Sequence, residues 1–233
     1  MKKLKKLFVI ILLVIIAIAC MIVVQGYRMY KQALDEISLE ERVNIIRTQA
    51  NYTKNTEIPE IYKKAVIAVE DHRFYEHHGV DFISICRAVF NDIKTMSFVE
   101  GGSTITQQLA KNMFFTQEKK LSRKVAEVLM AHEIEKNYSK DEILELYINT
   151  IYYGNGYYDI KSASIGYFGK LPKYLSNSEA IMLVGIPNAP SVYNPKINPE
   201  LAEQRKKQVI QKMKEYGNLS EEEANRILNE KSF

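Results

Sequence analysis

Apolar positions along the chain follow two regimes. From Leu7 to Val24 there are 18 apolar residues in succession, and no charge appears before Arg28. At ~1.5 Å per helical residue this run is about 27 Å long, enough to cross a hydrocarbon core with Gln25 and Gly26 at the interface. Beyond it the pattern becomes that of amphipathic helices. Ile61, Ala65, Ala68 and Val69 recur on one helix face behind Ile58-Pro59, where proline suits a first turn. Further helices are predicted over about Phe82–Ile93, from Gly101-Gly102-Ser103 to Phe115, and over about Leu121–Asn137. Ser139 with Glu142 and Ser176 with Glu179 form capping boxes at the start of two more. The first carries Ile143, Leu144, Tyr147, Ile148 and Ile151 as its apolar face, and the second is stopped by Gly185 and Pro187. From Pro199 two charged amphipathic helices follow, divided at Gly217-Asn218, the second capped by Ser220. Little two-residue alternation and no internal repeat are present, so the fold class is mainly α.

This pattern divides the 233 residues into a basic tail (1–6), an apolar anchor (7–26), a charged, glycine-poor linker (27–55) and a folded domain (56–233). The formal net charge of +4 is accounted for by Lys2, Lys3, Lys5 and Lys6, and the remainder is neutral. The basic balance is therefore a flank of the apolar run and gives no reason to expect a nucleic-acid partner. Positive charge before the run predicts a single-pass plasma-membrane protein with a cytoplasmic N-terminus and an extracytoplasmic domain. Length favours an anchor over a cleaved signal peptide, whose apolar core is usually ~7–15 residues. Ala17 to Cys20 loosely resembles a lipoprotein cleavage box, but the apolar Met21-Ile22-Val23-Val24 follows where such sequences turn polar. With Cys20 in the span and Cys86 in the domain, the two cysteines are not expected to pair.

Three segments carry candidate chemistry. Glu70 to Gly79, EDHRFYEHHG, places carboxylates and histidines beside Phe74 and Tyr75 at the end of an apolar helix, which makes a carboxylate there a candidate for general-base work. A charged helix terminus would look similar, and the spacing of His72, His77 and His78 matches no common metal motif. Gly101 to Asn112, GGSTITQQLAKN, starts a helix whose first N–H groups would form an anion site. Thr104, Gln107, Gln108 and Lys111 make its polar stripe. Ser122 to Lys136 places Arg123 and Lys124 one turn before Glu127, with Lys119 and Lys120 thickening the positive charge upstream. A Glu beside cations on one helix is commonly a structural pair. Met96 to Val99 and Phe114-Phe115 are apolar stretches suited equally to membrane contact or core packing.

Taken in order, these segments resemble the peptidoglycan glycosyltransferases of glycosyltransferase family 51, in their monofunctional form and in the corresponding domain of class A penicillin-binding proteins. Glu70, Asp71, Phe74, His77 and Gly79 match the family's first motif, and Gly101 to Asn112 its second. Arg123, Lys124 and Glu127 match the third, while Glu142 to Gly154 and Ser178 to Pro195 resemble the fourth and fifth. Nothing resembles the acylating Ser-x-x-Lys and Lys-Thr-Gly set of a transpeptidase.

The resemblance implies a lysozyme-like glycosyltransferase domain behind a transmembrane helix. It implies polymerisation of lipid II onto a growing lipid-linked glycan, with inversion, loss of polyprenyl pyrophosphate and sensitivity to moenomycin. By resemblance Glu70 is the base and Glu127 a second catalytic carboxylate that orients substrate or holds a metal. Asp71, Phe74, His77, Gly102, Ser103, Thr104, Gln107, Gln108, Lys111, Asn112, Lys119, Arg123 and Lys124 bind substrate or pyrophosphate. A divalent metal, Mg or Mn, is allowed as an assisting ion, although no dedicated protein site for it is evident. Partners are lipid II, the plasma membrane and cell-wall synthesis or division proteins. The alternative enzyme is a lysozyme-like muramidase or lytic transglycosylase, because two glutamates on helices suit glycan cleavage as well.

Overall fold

The computed structural model describes residues 2–87, 102–116, 118 and 120–230. Helix α1 (Lys2–Glu36) carries the apolar run and continues without a break for twelve residues beyond Val24. None of the side chains from Leu7 to Val24 is buried within the chain, whereas Gly26 and Ala33 are. A short helix α2 (Leu39–Arg47) follows, capped by Ser38. Helix α3 (Glu60–Glu70) precedes the first motif, and residues 82–87 are helical as well. Then come α4 (Ile105–Phe114), α5 (Leu121–Asn137), α6 (Lys140–Ile148), α7 (Ile160–Phe168), α8 (Asn177–Gly185), α9 (Pro199–Glu215) and α10 (Glu221–Asn229). Among the described residues no β-strand forms, in keeping with the expected α class. The expected helix over Phe82–Ile93 is described only to residue 87, and Met96 to Val99 lie outside the described residues.

Local capping explains where the helices begin. Thr104–Gln107, Ser139–Glu142, Ser176–Glu179 and Ser220–Glu223 are reciprocal capping boxes, each satisfying two backbone N–H groups that the first turn leaves unpaired. The sequence pattern does not suggest α7. Asp159 caps its start, accepting from the Ser162 N–H at 2.7 Å, and Gly169 ends it in the left-handed conformation.

Packing gathers the helices around one core, with Tyr62, Tyr147, Tyr153, Ile105, Leu109, Met130 and Ile143 fully buried. Helix α3 packs against α8 and α9, while α4 packs against α5 and α6. Phe114 and Phe115 lie partly buried against the core rather than projecting from it.

Residues 27–55 behave differently from a linker. Leu39, Val43 and Ile46 recur on one face of α2 and enter the core together with Ala33. Asn149 fixes the segment after α2, accepting from the Thr53 N–H at 2.8 Å and donating to the Thr53 carbonyl at 2.9 Å. Arg47 reaches Glu142 at 2.9 Å. A segment rich in charge reads as solvated when only its composition is weighed, yet three apolar residues at helical spacing suffice to dock it. The end of α1 docks too. At Gly26 the helix lies so close to α5 that an added Cβ would come within 2.6 Å of the Ser122 carbonyl oxygen and the Val125 Cβ.

Candidate active site

The first motif forms a turn that ties two helices together. Glu70 is the last residue of α3, and the chain leaves the helix at Asp71. The Asp71 carboxylate is buried. Its Oδ2 accepts the Ile105 N–H at 3.0 Å, at the very start of α4, and lies 2.9 Å from His77 Nε2. A carboxylate at a helix N-terminus meets both an unpaired N–H and the positive end of the helix dipole, so Asp71 holds α4 against the end of α3. Phe74 is fully buried, with the Lys140 ammonium 4.5 Å from its ring centre. Phe74 and His77 fix the turn, and neither is among the described residues that line the cavity.

The second motif is only partly open. Thr104 accepts the Gln107 N–H at 3.1 Å and donates its own hydroxyl to the Gly79 carbonyl at 2.7 Å. Gly79 has a φ of +83°, and an added Cβ there would press on the Ala131 backbone at 3.2 Å, so glycine suits both the conformation and the space. Gln107 is buried and its Oε1 accepts the Thr104 N–H at 3.2 Å. The N–H groups of Ile105 and Gln107, expected to face outward as an anion site, are thus bonded within the chain. The stripe splits accordingly: Thr104 and Gln107 lock the helix, while Gln108 and Lys111 line the cavity.

Gln108 donates through Nε2 to Glu70 Oε2 at 2.8 Å, and its Oε1 accepts from the Tyr147 hydroxyl at 3.2 Å. Lys111 is half-buried. Burial pushes its ammonium below the ordinary lysine range, Glu127 and Glu70 oppose that shift, and Arg123 and Lys124 add to it. Asn112 is half-buried on the same helix and does not line the cavity.

In the third motif, charge is paired internally. Glu127 is 3% exposed. Its Oε1 lies 3.3 Å from Arg123 Nε, and its Oε2 lies 3.1 Å from Lys124 Nζ. Lys124 also donates to Ser103 Oγ at 2.6 Å, and Arg123 donates to the Thr116 carbonyl at 3.0 Å. None of these three residues lines the cavity. In this structure Glu127 neutralises two cations, one of which, Lys124, ties α5 to the loop before α4. Lys119 lies outside the described residues.

The same engagement bears on a metal. The Asp71 carboxylate is taken by His77 and the Ile105 N–H, and that of Glu127 by Arg123 and Lys124. Among the described residues no group of three His, Cys, Asp or Glu side chains converges on a point. This donor set does not fit a resident divalent ion.

The cavity itself has a volume of about 630 Å³. Glu70, Asp71, Gly102, Ser103, Thr104, Gln108 and Lys111 line it, all named from the sequence, as does Asn188 of the fifth motif. The sequence does not single out the rest of the charged and aromatic lining, which includes Asp81, Arg87, Arg205 and Lys212 of α9, and Tyr216 just after it. His72 stacks on Tyr216 with ring centres 4.2 Å apart, and its Nε2 lies 3.1 Å from Arg87 Nη1. Burial, with Arg87 next in weight, lowers the basicity of His72, so it faces the arginine as a neutral ring. Arg205 and Lys212 are seven residues apart and thus share a helix face, but in the sequence that face is indistinguishable from a solvated one. The Glu70 carboxylate thus shares a cavity with Lys111, Arg87, Arg205 and Lys212. Such a site can take a proton from a hydroxyl group while holding a multiply charged anion.

The chain is similar in sequence to known proteins. Penicillin-binding protein 1F of Bacillus subtilis (strain 168) is 48% identical over 179 residues, which cover 74% of this chain and 25% of that protein. Penicillin-binding protein 1A of Neisseria lactamica is 46% identical over 179 residues, 77% of this chain and 22% of that protein. The chain thus spans about a quarter of the length of these curated relatives. The crystal structure of Penicillin-Binding Protein 1A from Haemophilus influenzae overlaps 54% of this chain and 15% of its own, at 31% identity and a TM-score of 0.38. The Transglycosylase family model matches residues 38–214, from the cap of α2 through most of the cavity lining and nearly to the end of α9, and the chain belongs to that family.

Proposed function

We propose that the protein is a peptidoglycan glycosyltransferase that polymerises lipid II. The observation that carries this reading is the placement of the Glu70 carboxylate in one cavity with the cations of Lys111, Arg87, Arg205 and Lys212. Glu70 Oε2 accepts from Gln108, which leaves Oε1 to receive a proton. In the proposed step Glu70 removes the proton of the GlcNAc 4-hydroxyl of an incoming lipid II. The hydroxyl oxygen bonds to the anomeric carbon of the lipid-linked donor as the bond from that carbon to the pyrophosphate oxygen breaks. The electron pair leaves with the polyprenyl pyrophosphate, the configuration inverts, and the proton passes from Glu70 to solvent. The cations hold the developing negative charge on the leaving group. Pyrophosphate leaves without protonation, so no second carboxyl acid is needed, and Glu127 can be buried and ion-paired without loss to the chemistry.

Glycan cleavage is less well supported, since breaking a glycosidic bond between sugars releases no pyrophosphate for these cations to hold. The apolar part of α1 suits a plasma-membrane anchor with the lysine tail in the cytoplasm. Both substrates are lipid-linked, so an anchored site meets them by lateral diffusion.

The test is incubation of the detergent-solubilised protein with labelled lipid II, with products separated by size. Glu70→Gln and a moenomycin-treated sample run alongside. A ladder of long, lysozyme-sensitive glycan, absent from both controls, is expected. Shortening of preformed peptidoglycan in place of a ladder would transfer the site to the hydrolase reading.

A further inference from the structure

The carboxylate proposed as base is held by a chain of side chains from two other helices. Glu70 ends α3, where the helix dipole disfavours negative charge and the last turn has no following residues to brace it. Among the described residues the one hydrogen bond its carboxylate makes is from Gln108 Nε2, at 2.8 Å, on α4. Gln108 in turn accepts at Oε1 from the Tyr147 hydroxyl on α6, at 3.2 Å.

A glutamine amide has two nearly equal ends, and only its partners decide which end points where. Flipped, Gln108 would turn its carbonyl oxygen toward the Glu70 carboxylate, placing two acceptors face to face. The carboxylate, which only accepts, selects the amide end that faces it, and the Tyr147 hydroxyl, donating to Oε1, holds the amide in that orientation. The residue is 2% exposed, and burial, reinforced by the charge of Glu70, raises its pKa well above the ordinary tyrosine value. The phenol therefore keeps its proton, and the amide nitrogen stays directed at Glu70.

We propose that Tyr147 and Gln108 are positioning residues, a two-step relay from α6 through α4 that fixes the direction of the Glu70 carboxylate toward the acceptor hydroxyl. This rests on the reading of Glu70 as the base. It also reassigns Gln108, which acts by holding the base and not by binding pyrophosphate.

The experiment compares Tyr147→Phe, Gln108→Ala, the double variant and Glu70→Gln in the full-length, detergent-solubilised protein. Lipid II turnover and the melting temperature are measured for each. A misdirected base predicts a kcat lower by roughly 10- to 100-fold in each single variant with KM unchanged. Tyr147 acts only through Gln108, so the double variant should be no slower than Gln108→Ala alone. Multiplicative losses in the double variant, an unchanged kcat in Tyr147→Phe, or a rise in KM with kcat intact would each overturn the relay. Should Tyr147→Phe fail to fold, Gln108→Met, which keeps the chain length and removes the amide, carries the same kcat test. The two levels separate cleanly: an active Glu70→Gln removes the base itself, whereas an inactive Glu70→Gln beside a fully active Tyr147→Phe removes only the relay.

Discussion

Arg123 and Glu127, one turn apart on α5, form a buried ion contact, Nε to Oε1 at 3.3 Å, with side chains 14% and 4% exposed. The carboxylate also offsets Lys124, so Glu127 balances two cations. Removing it would leave two cations beside the half-buried Lys111 without a counter-charge. Glu127→Ala is expected to lose about 3 kcal/mol of stability, the usual scale for breaking a buried pair. Urea unfolding measures this. A Glu127→Gln protein with an unchanged unfolding midpoint but no turnover would show instead that the carboxylate acts on substrate.

Asp71 ties the end of α3 to the start of α4 through the Ile105 N–H at 3.0 Å. Asp71→Asn keeps the side-chain shape but removes the charge that faces both His77 and the helix dipole. We expect a loss of about 1–3 kcal/mol, read as a lower unfolding midpoint. Turnover should fall as well, because Gln108 and Glu70 sit on the two helices that Asp71 joins. Wild-type stability in this variant would mean that the carboxylate contributes no net fixation.

Lys111 should set the alkaline limb of activity. Burial depresses its pKa, so the folded protein releases this proton below the ordinary lysine range. Between the folded and ordinary values the unfolded chain holds more protons, and stability on this account rises with pH. On the proposed mechanism activity moves the other way, since a cation of the cavity is lost. A plot of log kcat/KM against pH should therefore bend downward below the ordinary lysine range, and Lys111→Arg should move that bend upward. An unchanged bend in Lys111→Arg would assign it to another group.

Gly26 allows α1 to lie directly on α5. A methyl group there would meet the Ser122 carbonyl oxygen and the Val125 Cβ at 2.6 Å, and the first of these is backbone. Gly26→Ala must therefore part the helices, at a cost of about 1–3 kcal/mol from overpacking. Thermal unfolding in detergent reports it directly. Gly26→Ser should behave alike. The neighbouring Gln25 is exposed, so Gln25→Ala should leave the midpoint unchanged. A Gly26→Ala protein that melts with the wild type would mean that the two helices do not pack this closely.

Much of the helical layout is legible in the sequence because its causes are local. The capping boxes at Ser139 and Ser176 and the stop at Gly185 depend on residues within a few positions of one another. The docking of residues 27–55 is not legible, because the partners of Arg47 and Thr53 lie about a hundred residues downstream. Helix α7 escapes the pattern for a different reason. Its apolar residues are spread around the helix, and the short cap at Asp159 is a weak signal without them.

For the site, the sequence determined which residue types were available: the carboxylate of Glu70, the amides of Gln107 and Gln108, and the lysines and arginines of three segments. Spacing also placed Gln108 and Lys111 on one face of a helix, since that follows from helical geometry alone. Tertiary structure decided which of these groups face the cavity. It buried Glu127 beside two cations, directed Gln107 into a cap and brought Arg205 and Lys212 into one cavity with Glu70. A charge reads the same in a sequence whether it ends beside an ion partner, a substrate or water. Its role is set by what lies within a few ångströms, and those neighbours come from helices far apart in the chain.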